Sequence, residues 1–129
     1  MGMSEIRTLI VDDSSVMRKI VERALRQAGL EGLVVHEAGS GVEGLEVLKI
    51  TAVDLILSDI NMPAMDGLEF LRQIRAQNLA VGIPVVMITT ESSEEHVKQA
   101  IEAGARGYIR KPFTAEQVKE RVLPLLPAA

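Results

Sequence analysis

The chain contains no cysteine and no tryptophan, and its aromatic side chains are limited to one tyrosine and two phenylalanines. Without cysteine, it cannot form a disulfide scaffold, a cysteine-ligated zinc site or an iron–sulfur cluster. With so few aromatic rings, it has little material for a platform on which nucleic-acid bases could stack. The composition therefore points away from disulfide-rich domains and from proteins that bind single-stranded nucleic acid.

Positive charge and long apolar runs are also scarce. Fourteen Lys and Arg residues stand against eighteen Asp and Glu residues, which gives a net charge of −4. This is the wrong sign for neutralising phosphates, so we expect no nucleic-acid partner. No apolar run approaches the ~20 residues of a membrane span, and the run at residues 9–11 is closed at once by Asp12 and Asp13, far short of an export signal. We therefore expect a cytoplasmic protein that does not bind membranes.

The length of 129 residues, with 47% hydrophobic and 25% charged residues, fits a globular domain. Size scaling predicts that about two-thirds of the unfolded chain's surface is buried on folding, which is enough for a hydrophobic core that needs no disulfides or structural metal. We predict one domain over residues 1–129.

Short apolar runs alternate with longer segments of helical period along the whole chain. The runs are nearly continuous in hydrophobicity, which indicates strands buried on both faces, as in a parallel sheet between helices. Such alternation predicts an α/β fold, a doubly wound parallel sheet of five strands with five helices. The predicted strands are 6–11, 33–37, 54–58, 84–89 and 107–110.

The spacing of apolar residues also predicts which helix faces are buried. Gly29 should end the first helix, and Pro124 should close the last one. The apolar positions predicted for the first helix are Val16, Met17, Ile20, Val21, Ala24 and Ala28. Those predicted for the fourth helix are Val97, Ala100 and Ile101.

Polar residues follow the predicted strands where each strand ends. In an open parallel sheet, ligands bind beyond the carboxyl ends of the strands. Three carboxylates, a hydroxyl and an amine should therefore converge at one edge of the sheet. They belong to Asp12, Asp13, Asp59, Thr89 and Lys111.

Each of these residues has a structural explanation when taken alone. Asp13 or Ser14 could cap the first helix, and Asp66 could cap the helix that begins near Leu68. Taken together, however, three acids at one edge repel one another by about 1 kcal/mol per pair, even at the dielectric constant of water. Lys111 supplies one compensating charge, and a hard divalent ion with oxygen ligands, most plausibly Mg²⁺, would supply the rest.

The sequence resembles a response-regulator receiver domain, and it is most similar to the single-domain chemotaxis type. The resemblance runs in order over residues 6–123, and each motif follows the appropriate predicted strand. It implies a flavodoxin-like fold with sheet order 2-1-3-4-5. The matching motifs are Asp12-Asp13 after Leu9-Ile10-Val11, Asp59 with Met62-Pro63 and Asp66-Gly67, Thr89, and Tyr108-Ile109-Arg110-Lys111-Pro112-Phe113.

The resemblance implies roles for the acids. Asp59 matches the phosphoacceptor, and because an aspartate is ionised near pH 7 it needs no general base. Asp13 matches a direct Mg²⁺ ligand, joined by the Asp59 carboxylate and the backbone carbonyl of Asn61. Asp12 matches the acid that holds the metal through water.

The resemblance also implies a switch. Lys111 and Thr89 would bind phosphoryl oxygens, and the Lys111–Pro112 peptide bond would be cis. As Thr89 moves toward the phosphoryl group, the ring of Tyr108 would turn into the vacated space. The face formed by the fourth helix, the fifth strand and the fifth helix would then bind a downstream protein; its basic residues are Lys98, Arg106, Arg110 and Lys119.

The implied function is two-component signal transduction, in which a sensor histidine kinase or phosphotransfer protein phosphorylates Asp59. We expect a monomeric signalling protein, not an enzyme, although it would take part in its own phosphorylation and dephosphorylation. Some residues bear on kinetics: Thr90 would narrow access to Asp59 and slow small phosphodonors, whereas Asn61 and Glu91 imply rapid self-dephosphorylation. Ile60, after the acceptor, is a further departure from the family pattern.

Alternatives remain open from the sequence. The chain could be a phosphorelay shuttle, a domain of a larger regulator, or a degenerate receiver that only binds proteins. A phosphatase with an aspartyl nucleophile would need an acid where Asn61 stands. An FMN carrier of the same topology would need a first loop that accepts phosphate, which Asp12 and Asp13 would repel.

Overall fold

A sheet of five parallel strands forms the centre of the protein in a computed structural model, which describes residues 5–30, 32–90 and 94–126. The strands lie in the order β2-β1-β3-β4-β5, which confirms the predicted topology. They are β1 Ile6–Val11, β2 Leu33–Ala38, β3 Leu55–Asp59, β4 Val85–Thr89 and β5 Gly107–Arg110.

The strand boundaries differ from the prediction by one residue at several ends. β3 begins after Asp54, whose carboxylate accepts a hydrogen bond from the Arg7 amide at 2.8 Å, and it ends at Asp59. β4 begins after Pro84, which has no N–H to donate but accepts from the amide of Ile56 at 3.0 Å. As a result, Asp59 is the last residue of a central strand.

Helices follow each strand and cover the sheet. Side chains at four helix N-termini accept a hydrogen bond from a backbone amide of the first turn, as helix caps do. The capping residues are Ser14, Ser40, Asp66 and Thr114. The helices are α1 Ser15–Gln27, α2 Gly41–Ile50, α3 Gly67–Ala76, α4 Glu94–Glu102 and α5 Ala115–Val122, followed by a short 3-10 turn at Leu123–Leu125. Within the described ranges, no helix combines the length and apolarity needed to cross a bilayer.

Two apolar layers lie on the two faces of the sheet. Leu9, Ile56 and Met87 contribute to the layer under α2, α3 and α4. Ile10 and Leu57, which alternate with them along β1 and β3, contribute to the layer under α1 and α5. Since both faces are covered, the central strands β3 and β4 are buried throughout, as the nearly continuous apolar runs predicted.

The buried face of α1 differs from the prediction. Val16 is 68% exposed and Ile20 is 46% exposed, whereas Val21 and Leu25 are buried. At 100° per residue, Val16 and Ile20 lie to one side of the stripe that faces the sheet. Ile101 of α4 was also expected in the core and is 59% exposed. Gly29 follows α1 with a φ of +99°, a conformation that favours glycine, and ends the helix as predicted.

Candidate metal centre

Three carboxylates meet at the carboxyl edge of the sheet. Asp12 and Asp13 follow β1, and Asp59 ends the neighbouring β3. Asp12, Asp13 and Asp59 each offer a carboxylate oxygen, and these atoms all lie within 4.8 Å of one another. Asp12 is 4% exposed and Asp59 is 7% exposed, while Asp13 lies on the surface. Two buried acids and one exposed acid therefore surround a site that is open on one side.

One amine partly compensates these charges. The Lys111 ammonium lies 3.4 Å from Oδ2 of Asp12 and 3.6 Å from Oδ2 of Asp59, and its side chain is mostly buried. If all three acids are ionised, one positive charge against three negative charges leaves two uncompensated. Oxygen ligands with that residual charge suit a hard divalent cation, and Mg²⁺ in particular combines with one or two carboxylates and retains waters.

The Asp59 carboxyl lies in surroundings that penalise its charge. Burial raises the pKa of Asp59, and the neighbouring Asp12 raises it further, although Lys111 opposes both effects. Backbone amides of Ile60 and Asn61 also favour the charged form, and the Asn61 amide donates to Oδ1 of Asp59 at 3.3 Å. The raised pKa is the expected sign for a carboxylate that lacks enough positive charge nearby.

A glycine allows the chain to close around Asp59. The Gly67 amide donates to the carbonyl of Ile60 at 2.7 Å, which brings the start of α3 against the end of β3. A Cβ at Gly67 would clash with the backbone carbonyl oxygen of Asp59. Glycine is therefore required by the close approach of the two backbones, beside the Asp66 side chain that caps α3.

The β1–α1 loop is held by contacts that the sequence did not indicate. The Ser14 amide donates to Oδ1 of Asp12 at 2.9 Å. Arg18 donates from Nη1 to the Asp12 carbonyl at 2.6 Å and from Nε to Oε1 of Glu37 at 2.8 Å. Arg18 and Glu37 are 19 residues apart, and they meet because α1 packs against β2, the strand paired with β1.

The proposed switch residues lie on one face of the sheet. Thr89 ends β4 and is fully buried, one residue beyond Ile88, which pairs with Asp59. Tyr108 pairs with Met87 in the β4–β5 register. Because side chains two residues apart share a face, Thr89 and Tyr108 point to the same side. Tyr108 is half-buried against the core layer there.

Several smaller predictions concern the rim of the site. The Lys111–Pro112 peptide bond is cis, as predicted. Thr90 is exposed and Ile60 is buried, so Thr90 is the one of these two that solvent reaches. Glu91 lies outside the described residues.

Comparison with known proteins agrees with this arrangement. Residues 8–123 match the family model of the response regulator receiver domain. The chain therefore belongs to the response regulator receiver family, a family of signalling domains.

Curated relatives of the chain are chemotaxis proteins. Chemotaxis protein CheY-3 of Vibrio cholerae is 43% identical over 117 residues, which cover 91% of this chain and 88% of that protein. Chemotaxis protein CheY1 of Helicobacter pylori is 42% identical over 118 residues, which cover 91% of this chain and 94% of that protein.

Solved structures show the same fold. The chemotaxis protein CheY4 of Vibrio cholerae, crystallised at low pH, superposes with a TM-score of 0.84 at 36% identity, covering 95% of this chain and all of that chain. The receiver domain of the regulator NarL from Mycobacterium tuberculosis has a TM-score of 0.82 at 32% identity and covers 95% of this chain and 96% of that one.

Proposed function

We propose that the protein is a chemotaxis-type regulator that accepts a phosphoryl group on Asp59 from a sensor histidine kinase or a phosphotransfer protein. The observation that carries this proposal is the cluster of three carboxylates within 4.8 Å, with a single lysine against two of them. A fold gains nothing in stability from such repulsion, so a bound cation is the simplest reason for the arrangement. Similarity to chemotaxis proteins supports the pathway.

The donor set fits Mg²⁺. In the proposed site, the carboxylates of Asp13 and Asp59 and the backbone carbonyl of Asn61 would hold the ion directly, and Asp12 would hold it through water. When bound, the ion would offset negative charge on the nucleophile and on the incoming phosphoryl group.

Asp59 supplies the nucleophile. A carboxylate oxygen of Asp59 forms a bond to phosphorus as the bond between phosphorus and the donor histidine nitrogen breaks, and the electron pair of that bond stays on the imidazole. The ionised form of Asp59 is required, and Lys111 favours it by lowering the pKa against the effect of burial. After transfer, Lys111 is within reach of a phosphoryl oxygen as a point charge, and the hydroxyl of Thr89 donates to another.

The proposed readout is a change at Tyr108. Phosphorylation replaces the single negative charge of the Asp59 carboxylate with a phosphoryl group that carries nearly two, beside Lys111, and it gives Thr89 a strong acceptor. Because Thr89 and Tyr108 lie on the same face of the sheet, a movement of the Thr89 side chain toward the phosphoryl group would open space for the Tyr108 ring. The α4–β5–α5 face would then bind a downstream protein, and a groove beside Tyr108 contains Arg110 and Arg121 together with Glu120. Lys98, Arg106, Arg110 and Lys119 are all exposed, which favours an acidic or amphipathic partner segment.

The same proposal makes the protein a monomer that acts in the cytoplasm without binding nucleic acid. It is a phosphoacceptor and not an enzyme with a separate substrate, although Asp59, Lys111 and Thr89 take part in both gain and loss of the phosphoryl group. Exposed Thr90 would hinder small phosphodonors at the rim of the site.

Acetyl phosphate and Mg²⁺ test the chemistry. The native protein should gain the mass of one phosphoryl group in an acid-stable, base-labile adduct, and peptide mapping should place it on Asp59. Asp59→Asn should gain none. Asp66→Asn is the matched control, because asparagine also caps helices and the variant should label normally. Labelling of the Asp59→Asn protein at another residue, or no labelling of the native protein by any phosphodonor, would contradict the proposal.

Beryllofluoride, a mimic of the phosphoryl group, tests the readout. In NMR spectra, the Tyr108 ring and the amides of Thr89 and Arg110 should shift on addition of Mg²⁺ and beryllofluoride, and should not shift in Asp59→Asn. If Asp59 is modified while the Tyr108 ring keeps its position, Tyr108 is only an edge-strand aromatic and the coupling is wrong.

A further inference from the structure

Arg18 links the acidic loop to the strand beside it. Its guanidinium donates to the Asp12 carbonyl at 2.6 Å and to the Glu37 carboxylate at 2.8 Å, and its side chain is only 17% exposed. The planar guanidinium presents several donors in a fixed arrangement, so one arginine can satisfy both partners at once. The contact is formed by side chains from α1 and β2 and by the backbone between β1 and α1.

Glu37 is itself held firmly. Its Oε1 accepts from Arg18 and its Oε2 accepts from the Lys19 ammonium at 2.7 Å. Hydrogen bonds from Lys19 and then Arg18 lower the pKa of Glu37. The bond to Oε1 anchors the Arg18 guanidinium on β2, while Lys19 engages the other oxygen.

The Asp12 carbonyl has a particular importance for the site. It belongs to the planar peptide unit that joins Asp12 to Asp13, so fixing the oxygen fixes the orientation of that whole unit. Asp13 is exposed, so burial does not fix its side chain. The Ser14 amide, which donates to the Asp12 carboxylate at 2.9 Å, continues the same loop.

We propose that Arg18, anchored by Glu37, is a positioning residue that preorganises the Asp12–Asp13 loop and thereby raises the affinity of the acid cluster for Mg²⁺. This inference rests on the proposed function, since it assumes that the cluster binds the ion. The physical reason is entropic: a loop already held in one conformation loses less freedom when its carboxylates are ordered by a ligand.

Because Arg18 is positively charged, the direction of the change in Mg²⁺ affinity on its removal tests the inference. A guanidinium close to a cation site repels the cation, so if charge alone mattered, removing Arg18 would strengthen Mg²⁺ binding. Positioning predicts the opposite. Residues that orient metal ligands through hydrogen bonds commonly change metal affinity by about 10–100-fold when they are replaced, and we expect about tenfold weaker binding for Arg18→Met.

The experiment compares Mg²⁺ affinity in three variants by calorimetry or NMR titration. Arg18→Met and Arg18→Lys should both bind more weakly than the native protein, the second although its charge is retained, because an ammonium lacks the planar fork. Lys19→Met is the matched control, because it removes the same charge from the next residue. The native Lys19 side chain also contacts Glu37, but no hydrogen bond joins it to Asp12. The affinity of Lys19→Met should equal or slightly exceed the native value. Affinity that rises in Arg18→Met, or that is unchanged in both Arg18 variants, overturns the inference.

A second measurement needs no metal. Hydrogen exchange of the Ser14 amide in chelator should be faster in Arg18→Met, because a loop that is no longer held opens more often, and it should be unchanged in Lys19→Met. Equal exchange in all proteins overturns the positioning role. If the native protein shows no response to Mg²⁺, the proposed function fails and so does the link to affinity, whereas the Ser14 exchange still decides whether Arg18 holds the loop.

Discussion

Glu37 and Asp59 end or nearly end two strands at the same edge of the sheet, yet their surroundings are opposite. Both oxygens of Glu37 accept hydrogen bonds from cationic side chains, and these lower its pKa. Asp59 is buried among other acids with one lysine at 3.6 Å, and burial raises its pKa. The neighbours of Glu37 stabilise its charged form, whereas the surroundings of Asp59 destabilise its charged form.

The difference separates a carboxylate that supports the fold from one that is available for binding. At Glu37 the positive charge comes from the chain itself, from Arg18 and Lys19. At Asp59 the Lys111 ammonium is shared with Asp12, so in the proposed function a bound cation supplies the remaining positive charge. Titratable groups that burial and like charges perturb are found more often at functional sites than elsewhere.

The largest expected effect is on ion binding at the acid cluster. Asp13→Asn removes the charge of a proposed ligand and should weaken Mg²⁺ binding by at least the roughly 10–100-fold that is typical when a residue that orients a metal ligand is replaced. Its stability in chelator should be equal to or above the native value, because Asp13 is exposed and repels its neighbours. Titration calorimetry and thermal unfolding measure the two quantities.

The control for Asp13→Asn is Glu46→Gln, which removes an exposed acid on α2 that pairs with Lys49. This variant should bind Mg²⁺ as the native protein does. If Asp13→Asn and Glu46→Gln bind Mg²⁺ equally well, the ion does not bind at the acid cluster. The contrast between Glu37 and Asp59 then has no connection with a metal.

The next effect is on stability at Asp59. Because the pKa of Asp59 is raised on folding, the folded protein binds more protons than the unfolded one between the two pKa values, and stability falls as the pH rises through that interval. In chelator at neutral pH, Asp59→Asn should therefore be more stable than the native protein. The gain should be on the order of 1 kcal/mol, comparable to one close carboxylate pair.

The pH dependence is the check on this second prediction. The advantage of Asp59→Asn in urea unfolding should shrink as the pH falls through the raised pKa toward 3.8, the ordinary value for aspartate. Saturating Mg²⁺ should reverse the order, since the native protein gains stability from the bound ion. A variant that is less stable than the native protein in chelator at pH 7 would show that the Asp59 charge is well accommodated.

The sequence predicts the Asp59 side of this contrast better than the Glu37 side. Continuous apolar runs predict parallel strands, and parallel strands bring the residues after their carboxyl ends together, so Asp12, Asp13 and Asp59 could be grouped without coordinates. The predicted order of strands is likewise observed. These features depend on local pattern and on one general rule of topology.

Contacts between side chains of different elements could not be predicted in the same way. Arg18 contacts Glu37 because α1 lies across β2 at a particular rotation, and helical spacing sets that rotation only roughly. The same uncertainty explains why Val16 and Ile20 are exposed although they fit an apolar stripe, while the buried Leu25 was not singled out. A residue at the edge of an apolar helix face is buried or exposed according to how the helix is rotated against the sheet, which the sequence period does not specify.

The smallest expected effect is on stability at Glu37. Glu37→Gln should destabilise the protein by about 0.5–1 kcal/mol at neutral pH, the range of partly exposed ion pairs, because Gln keeps one acceptor but loses the charge that Arg18 and Lys19 share. Since folding lowers the pKa of Glu37, its contribution is present above the ordinary value of 4.5 and is lost as the pH falls through the folded pKa. The unfolding free energies of the native protein and of Glu37→Gln should thus converge in acid. Both proteins should carry Asp59→Asn in this comparison, so that the opposite pH dependence of Asp59 is removed.

Added salt should narrow the difference in unfolding free energy at pH 7, because Lys19 is largely exposed. A gap that persists unchanged below the pKa of Glu37 would mean that shape and not charge accounts for its effect, and the contrast with Asp59 would lose its electrostatic basis.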